Sequence, residues 1–207
     1  MNQSLGARWS ALWARIGAVG DANAIFADLT RHYAQPRRFY HNLVHVEDCL
    51  EQLDAVRAKC RSADAIETAL WFHDAIYDSR AKDNEEQSAQ LAGWTLAQAG
   101  VASGFSEAVK LLVLATKHNA VPAEPGAQII VDVDLSILGR AEAAFDAYDA
   151  NIRREYAWVP EDQYRTGRTV VLKSFLARIR IFSTEHFHNR YEAAARRNIE
   201  RALARLA

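Results

Sequence analysis

The stretch Ala69-Leu70-Trp71-Phe72-His73-Asp74-Ala75-Ile76-Tyr77-Asp78 limits the folding options of this chain more than any other. Upstream of it, Asp64 followed by Glu67 is a helix-start signal. Ile66, Leu70, His73 and Tyr77 then recur at i, i+4, i+7 and i+11. That spacing predicts a helix whose apolar stripe carries His73, with Asp74 beside it. An ionised carboxylate pressed against a core costs several kcal/mol unless a cation or a full set of hydrogen bonds meets it. The adjacent imidazole offers a neutral lone pair, so the dipeptide supplies the donors for half a metal site.

Glycine and proline are sparse, at 9 and 4 in 207 residues, while Ala, Leu, Arg and Glu are plentiful. This favours helices, and the expected fold class is all-α, a single-domain helical bundle over residues 1–207. Half of the residues are hydrophobic and the net charge is −1. A sizeable core is therefore affordable, and neither a disordered tail nor a strongly basic nucleic-acid binder is indicated. Cys49 and Cys60, placed on one expected helix, are too far apart to bridge and read as reduced thiols. No leader or long apolar run appears, so the expectation is a cytoplasmic protein with no membrane partner and no extended nucleic acid. Homo-oligomerisation is left open.

Helical periodicity divides the chain as follows. Helices are expected from Ser4 to Gly17, from Asp21 to about Tyr33, and from Arg37 to Lys59 after Pro36. Beyond the central segment come Glu85 to Ala99, stopped by Gly100, and a helix opened by Ser106 that runs to His118. Asn119 to Gly126 holds Pro122, Pro125 and Gly126 and reads as a loop. Gln128 to Leu138 fits a strand or a helix; in a helical chain the helix is preferred, ending at Gly139. It places Asp134 on the apolar face and Asp132 off it, with Asp132 kept as the alternative ligand. Ala141 to Tyr156, Asp162 to Ile181, and His186 onward complete the set. The metal core would span about 36–140, with the helices of 141–207 packed on it. Arginines and glutamates alternate along the last helix, as on a solvated face.

His45, the pair His73 and Asp74, and Asp134 thus lie on three expected helices. Mixed imidazole and carboxylate donors suit a borderline or hard divalent ion (Mn, Fe, Co, Zn, Ni or Mg), one or two per chain. With no cysteine in the set, a structural zinc is not expected. Four protein ligands in octahedral geometry leave open positions, as a catalytic ion requires.

These residues also carry a resemblance. The order His, His-Asp, Asp is similar to that of the HD-domain metal-dependent phosphohydrolases. Tyr40-His41-Asn42-Leu43-Val44-His45 resembles the Tyr-His-Asn-x-x-His motif of the cyclic nucleotide phosphodiesterases. Trp71 to Asp78, Asp83-Asn84-Glu85, Asp132 to Gly139, Gly167-Arg168 and Ala195 to Asn198 resemble a bacterial group of predicted HD phosphohydrolases of about this length. The resemblance covers nearly the whole chain. It implies that His45, His73, Asp74 and Asp134 bind the metal, that Asp74 can bridge to a second ion, and that His41 protonates the leaving oxygen. Tyr77 stands where the phosphodiesterases have a second histidine.

The function that follows is hydrolysis of a phosphomonoester or phosphodiester of a nucleotide or small phosphorylated metabolite by metal-activated water. His41, one turn before His45 on the expected helix, is placed to act as the acid. Arg38 and Lys117 are candidates to balance phosphate charge, though such cations usually only face solvent. His118 reads as a second-metal ligand or as a cap on its helix, and Glu85 as a hydrogen-bonding partner behind the ligands or a charge at a helix N-terminus. The alternatives are a non-catalytic module binding metal or nucleotide, and a diiron oxygenase. The oxygenase needs two histidines between His-Asp and the last Asp, where only His118 is available.

Overall fold

The computed structural model describes residues 4–207, which form ten α-helices and no strand. In chain order these are α1 (Leu5–Arg15), α2 (Ala22–Tyr33), α3 (Leu43–Val56), α4 (Ala63–Phe72), α5 (Asn84–Gln98), α6 (Ser103–Ala115), α7 (Pro125–Asp134), α8 (Glu142–Glu155), α9 (Glu161–Leu176) and α10 (Glu185–Leu206). Short 3-10 turns follow α3 and α7, at Arg57–Lys59 and Leu135–Gly139. The expected segments are all present. Most boundaries shift by a residue or two, which is ordinary for helix ends. Larger departures are α6, at Ser103–Ala115 instead of Ser106 to His118, α7, which starts at Pro125 inside the expected loop and ends at Asp134 instead of Leu138, and the end of α9 at Leu176 instead of Ile181.

Two departures bear on function. The expected helix from Arg37 begins only at Leu43, because Asn42 caps it: its Oδ1 accepts from the Val44 amide at 2.9 Å. His41 therefore stands before the helix that carries His45. The central helix ends at Phe72, so His73 and Asp74 occupy its C-terminal turn and Tyr77 lies beyond it. Helix ends leave carbonyls without partners. Here Tyr33 Oη donates to the Trp71 carbonyl at 3.0 Å, and the Arg38 guanidinium donates to the carbonyls of Asp74 at 2.5 Å and Ala75 at 2.9 Å.

Residues from all ten helices except α8 and α9 dominate one continuous buried cluster, to which those two add Phe145, Leu172 and Phe175. α4 runs through its middle, and every residue from Ala65 to Phe72 is buried. Trp9 of α1 meets Trp71 edge to face at 5.5 Å, and Phe26 of α2 does so from another side at 5.9 Å. Glu67, also on α4, is not the capping residue that its spacing suggests. Its fully buried carboxylate pairs with Arg8 at 2.7 Å, Arg15 at 2.8 Å and Arg57. Three cations, two from α1 and one from the turn after α3, compensate one charge that would otherwise be prohibitive in the core.

α7 is enclosed by α3, α4 and α6, and its Ile130, Val131, Asp132 and Val133 are all buried. Asp132, expected off the apolar face, is fully buried. It accepts from the amides of Ser183 (2.8 Å) and Thr184 (2.7 Å) and from the Thr184 hydroxyl (2.7 Å), joining α7 to the start of α10. Farther along α10, Asn198 donates to the carbonyls of Leu138 and Arg140, both at 2.9 Å. Gly139 lies against α10 so closely that an added Cβ would sit 2.7 Å from the Tyr191 carbonyl oxygen. No helix among the described residues is long and apolar enough to cross a membrane.

Candidate metal centre and cleft

The C-terminal turn of α4, the first turn of α3 and the last residue of α7 meet at one point. His45 Nε2 lies 3.1 Å from His73 Nε2, 3.0 Å from Asp134 Oδ1 and 3.6 Å from Asp74 Oδ2. His73 Nε2 lies 3.1 Å from Asp74 Oδ2 and 3.7 Å from Asp134 Oδ1. Adjacent ligands about 2.1 Å from a shared ion would stand roughly 3.0–3.4 Å apart, so these spacings match a common cation. His73 Nδ1 faces the Leu70 carbonyl at 2.8 Å, which fixes the tautomer and turns the Nε2 lone pair to the centre. Two imidazole nitrogens and two carboxylates converging at these distances fit a divalent ion.

The structure adds a donor absent from the expected set. Cys49, one turn after His45 on α3, places Sγ 3.8 Å from both ring nitrogens of His45. His45, Cys49, His73 and Asp134 form a buried group able to hold a metal ion. Both cysteines are free thiols. Burial, followed by the nearby Asp134 and Asp74 carboxylates, pushes the Cys49 thiol well above its ordinary pKa, so it holds its proton in the ion-free protein.

The charges in the centre polarise each other. Burial would lower the His73 pKa, yet the Asp74 and Asp134 carboxylates raise it to about 9. Against burial, His73 and His41 hold Asp74 below the ordinary carboxylate range, and His118 and His45 do the same for Asp134. Ion-free, the His73 imidazole thus holds a proton against ionised carboxylates. A metal ion replaces that proton.

His118 follows α6 in the left-handed region, at φ 56°, and Arg178 donates to its carbonyl at 2.8 Å. Its Nε2 reaches Asp134 Oδ2 at 2.8 Å, the oxygen turned away from His45. His118 is therefore bound to the candidate ligand carboxylate and does not simply cap its own helix.

Asp74, Asp134, His41 and His118 line a cleft of about 690 Å³. Glu85 and Lys117 also line it. Lys117 Nζ pairs with Glu86 and donates to the Lys82 carbonyl at 3.1 Å. Arg38 is elsewhere: buried, with its guanidinium on Gln35 and on the carbonyls of His41, Asp74 and Ala75. It holds the His73-Asp74 turn in place and has no hydrogen left for a phosphate. The cleft wall also carries the aromatic rings of Tyr148, Tyr156, Tyr164 and Phe175.

Glu155, at the end of α8, is the residue that motif reading overlooks. Its Oε1 accepts from the Tyr40 amide at 2.7 Å and the His41 amide at 3.0 Å. Its Oε2 meets His41 Nδ1 at 2.6 Å and the Tyr77 hydroxyl at 2.9 Å. The Tyr77 ring stacks on His41 with centroids 4.1 Å apart. Burial would depress the His41 pKa, but Asp74 and Glu155 raise it. Phe145, Tyr148, Ile152 and Glu155 recur at i, i+3, i+7 and i+10, so a carboxylate on an apolar stripe was the available signal. No family model, curated protein or solved structure matches this chain.

Proposed function

We propose that this protein is a metal-dependent phosphohydrolase of the HD-domain type, acting on a phosphomonoester or phosphodiester of a nucleotide or small metabolite. The observation that carries this reading is the convergence of His45, His73, Asp74 and Asp134 at the floor of a cleft that also contains a clamped, charge-polarised histidine. In it, these four residues hold a divalent cation. That ion would supply charge neutralisation for the phosphoryl oxygens and a water of lowered pKa.

The chain's own groups do the rest. Asp74 and Asp134, both ionised and both facing the cleft, orient the attacking water by accepting hydrogen bonds from it, and the proton that water loses passes to solvent. Water oxygen bonds to phosphorus, the phosphorus bond to the ester oxygen breaks, and that oxygen takes a proton. His41 lines the cleft, and the Asp74 and Glu155 carboxylates raise its pKa and so favour its protonated form; it is the acid. Glu155 and Tyr77 fix its ring, leaving Nε2 without a partner among the described residues. Water protonates the imidazole again after turnover. His118 steadies Asp134 from the far side. The aromatic side chains of the cleft wall accept an apolar or planar leaving group, which agrees with a nucleoside.

The test is turnover of 4-nitrophenyl phosphate, its bis ester and a panel of nucleoside phosphates by protein loaded in turn with Mn²⁺, Fe²⁺, Co²⁺, Ni²⁺, Zn²⁺ and Mg²⁺. Hydrolysis that falls at least a hundredfold in Asp74→Ala is expected. Binding of nucleotides without hydrolysis under every metal would replace the enzyme with a binding module.

A further inference from the structure

We infer that the centre has two alternative donor sets, and that a thiophilic ion takes Cys49 in place of Asp74. The inference rests on the metal-binding reading above and concerns which ions the site admits in a working form. His45, His73 and Asp134 are common to both sets. Asp74 stands on the cleft side, with its Oδ2 3.1 Å from His73 Nε2. Cys49 stands on the core side, 2% exposed and absent from the cleft wall, with its Sγ 3.8 Å from His45 Nε2.

The spacings suit each set to a different ion. A tetrahedral zinc with nitrogen at about 2.0–2.1 Å and sulphur at about 2.3 Å has N···S edges near 3.6 Å. The thiol's 3.8 Å to His45 Nε2 is close to that edge, its Sγ lies within 4.8 Å of the His73 and Asp134 donor atoms, and helical i, i+4 spacing puts it on the same face as His45. Oxygen-preferring ions such as Mn²⁺ and Mg²⁺ favour the two-carboxylate set, whereas Zn²⁺ accepts thiolate readily. On ligation the Cys49 S–H bond breaks, the proton passes to solvent and the sulphur electron pair goes to the ion. No oxidant or reductant is required.

The consequence is a choice between an open and a closed centre. Ligation by Asp74 keeps the ion at the cleft floor with positions for water and substrate. Ligation by Cys49 draws the ion toward the core and completes a tetrahedron of protein donors, the pattern of ions that do not turn over substrate. Zinc would then be held tightly in a form with little activity, and the thiol would act as a metal-selectivity device.

X-ray absorption on metal-stripped protein reloaded with one equivalent of Zn²⁺ or Mn²⁺ tests this. Zinc-loaded wild type should show a sulphur neighbour at about 2.3 Å. That neighbour should vanish in Cys49→Ser and persist in Cys60→Ser, while the manganese spectrum shows oxygen and nitrogen alone. Zinc affinity should fall at least tenfold in Cys49→Ser, with manganese affinity within about twofold of wild type. A wild-type zinc spectrum with only nitrogen and oxygen neighbours overturns the inference and leaves the centre standing. Wild type that retains neither ion overturns both. The wild-type spectra decide the matter even if Cys49→Ser folds poorly.

Discussion

At the scale of single residues, the two neighbouring aspartates of α7 do opposite work. Asp132 is spent on three hydrogen bonds to Ser183 and Thr184, whereas Asp134 faces three imidazoles. Asp132→Ala should cost about 2–4 kcal/mol of stability by stranding buried amides, yet any variant molecules that fold should bind Mn²⁺ normally. Asp134→Ala should leave the fold nearly as stable and abolish Mn²⁺ binding. Thermal denaturation paired with calorimetric titration separates the two. Periodicity pointed to Asp134 but misjudged Asp132, because α7 is covered on every side and one apolar stripe no longer tells inside from outside.

Glu155 gives the pH dependence. The raised His41 pKa means that His41 contributes stability in full below its unfolded value of about 6.5 and loses it as pH rises through the folded value. Burial opposes the depressed pKa of Glu155, and the bond to His41 leads the groups that lower it. Its contribution is present above about pH 4.5 and is lost as pH falls through its folded value. The pair is thus strongest between roughly pH 4.5 and 6.5. Glu155→Gln should lower the His41 titration midpoint seen by NMR in chelated protein, and destabilise by about 1.5–3 kcal/mol near pH 6. An unmoved midpoint would mean that the carboxylate does not govern His41.

At the scale of elements, helix count and order were readable because apolar spacing repeats wherever glycine and proline are absent. The ends that matter were less so. His73 and Asp74 were placed mid-helix by the stripe through Ile66 and Leu70, but the helix stops at Phe72, where Arg38 and Tyr33 satisfy its last carbonyls from segments distant in sequence. His41 was likewise placed one turn before His45 on a helix that begins only at Leu43. Local patterns do not record such partners. The 3-10 turn after Asp134 is held against α10 at Gly139. Gly139→Ala should force the two apart, costing about 1–3 kcal/mol, with a loss of Mn²⁺ affinity larger than that of Gly167→Ala, whose Cβ meets nothing within 4 Å. Equal affinities in the two variants would show that the turn does not position Asp134.

At the scale of the whole molecule, a cation joining α3, α4 and α7 should bind the folded chain far better than the unfolded one. Metal at a hundred times its dissociation constant adds about 2.7 kcal/mol, or roughly 5–10 °C in melting temperature for a chain of this size. Stripping with a chelator should remove that increment, and restoring Mn²⁺ should return it. No such shift in wild type would mean that the four donors hold no ion under those conditions. The sequence ordering of His45, His73-Asp74 and Asp134 anticipated this meeting point. Cys49 and Glu155 belong to no motif: Cys49 reads only as a reduced thiol although it lies one turn from His45, and Glu155 only as part of its helix although it sits on an apolar stripe.

The clasp between Asp132 and the start of α10 also governs when the centre comes into being. A ribosome releases α3, α4 and α7 well before it makes Ser183, Thr184 and the helix they open. Until then the 135–139 turn, which follows directly on Asp134, lacks the α10 surface it packs against and the Asn198 bonds to Leu138 and Arg140. The emerging chain should therefore gain its grip on metal late, in a single step, as that final helix swings into place.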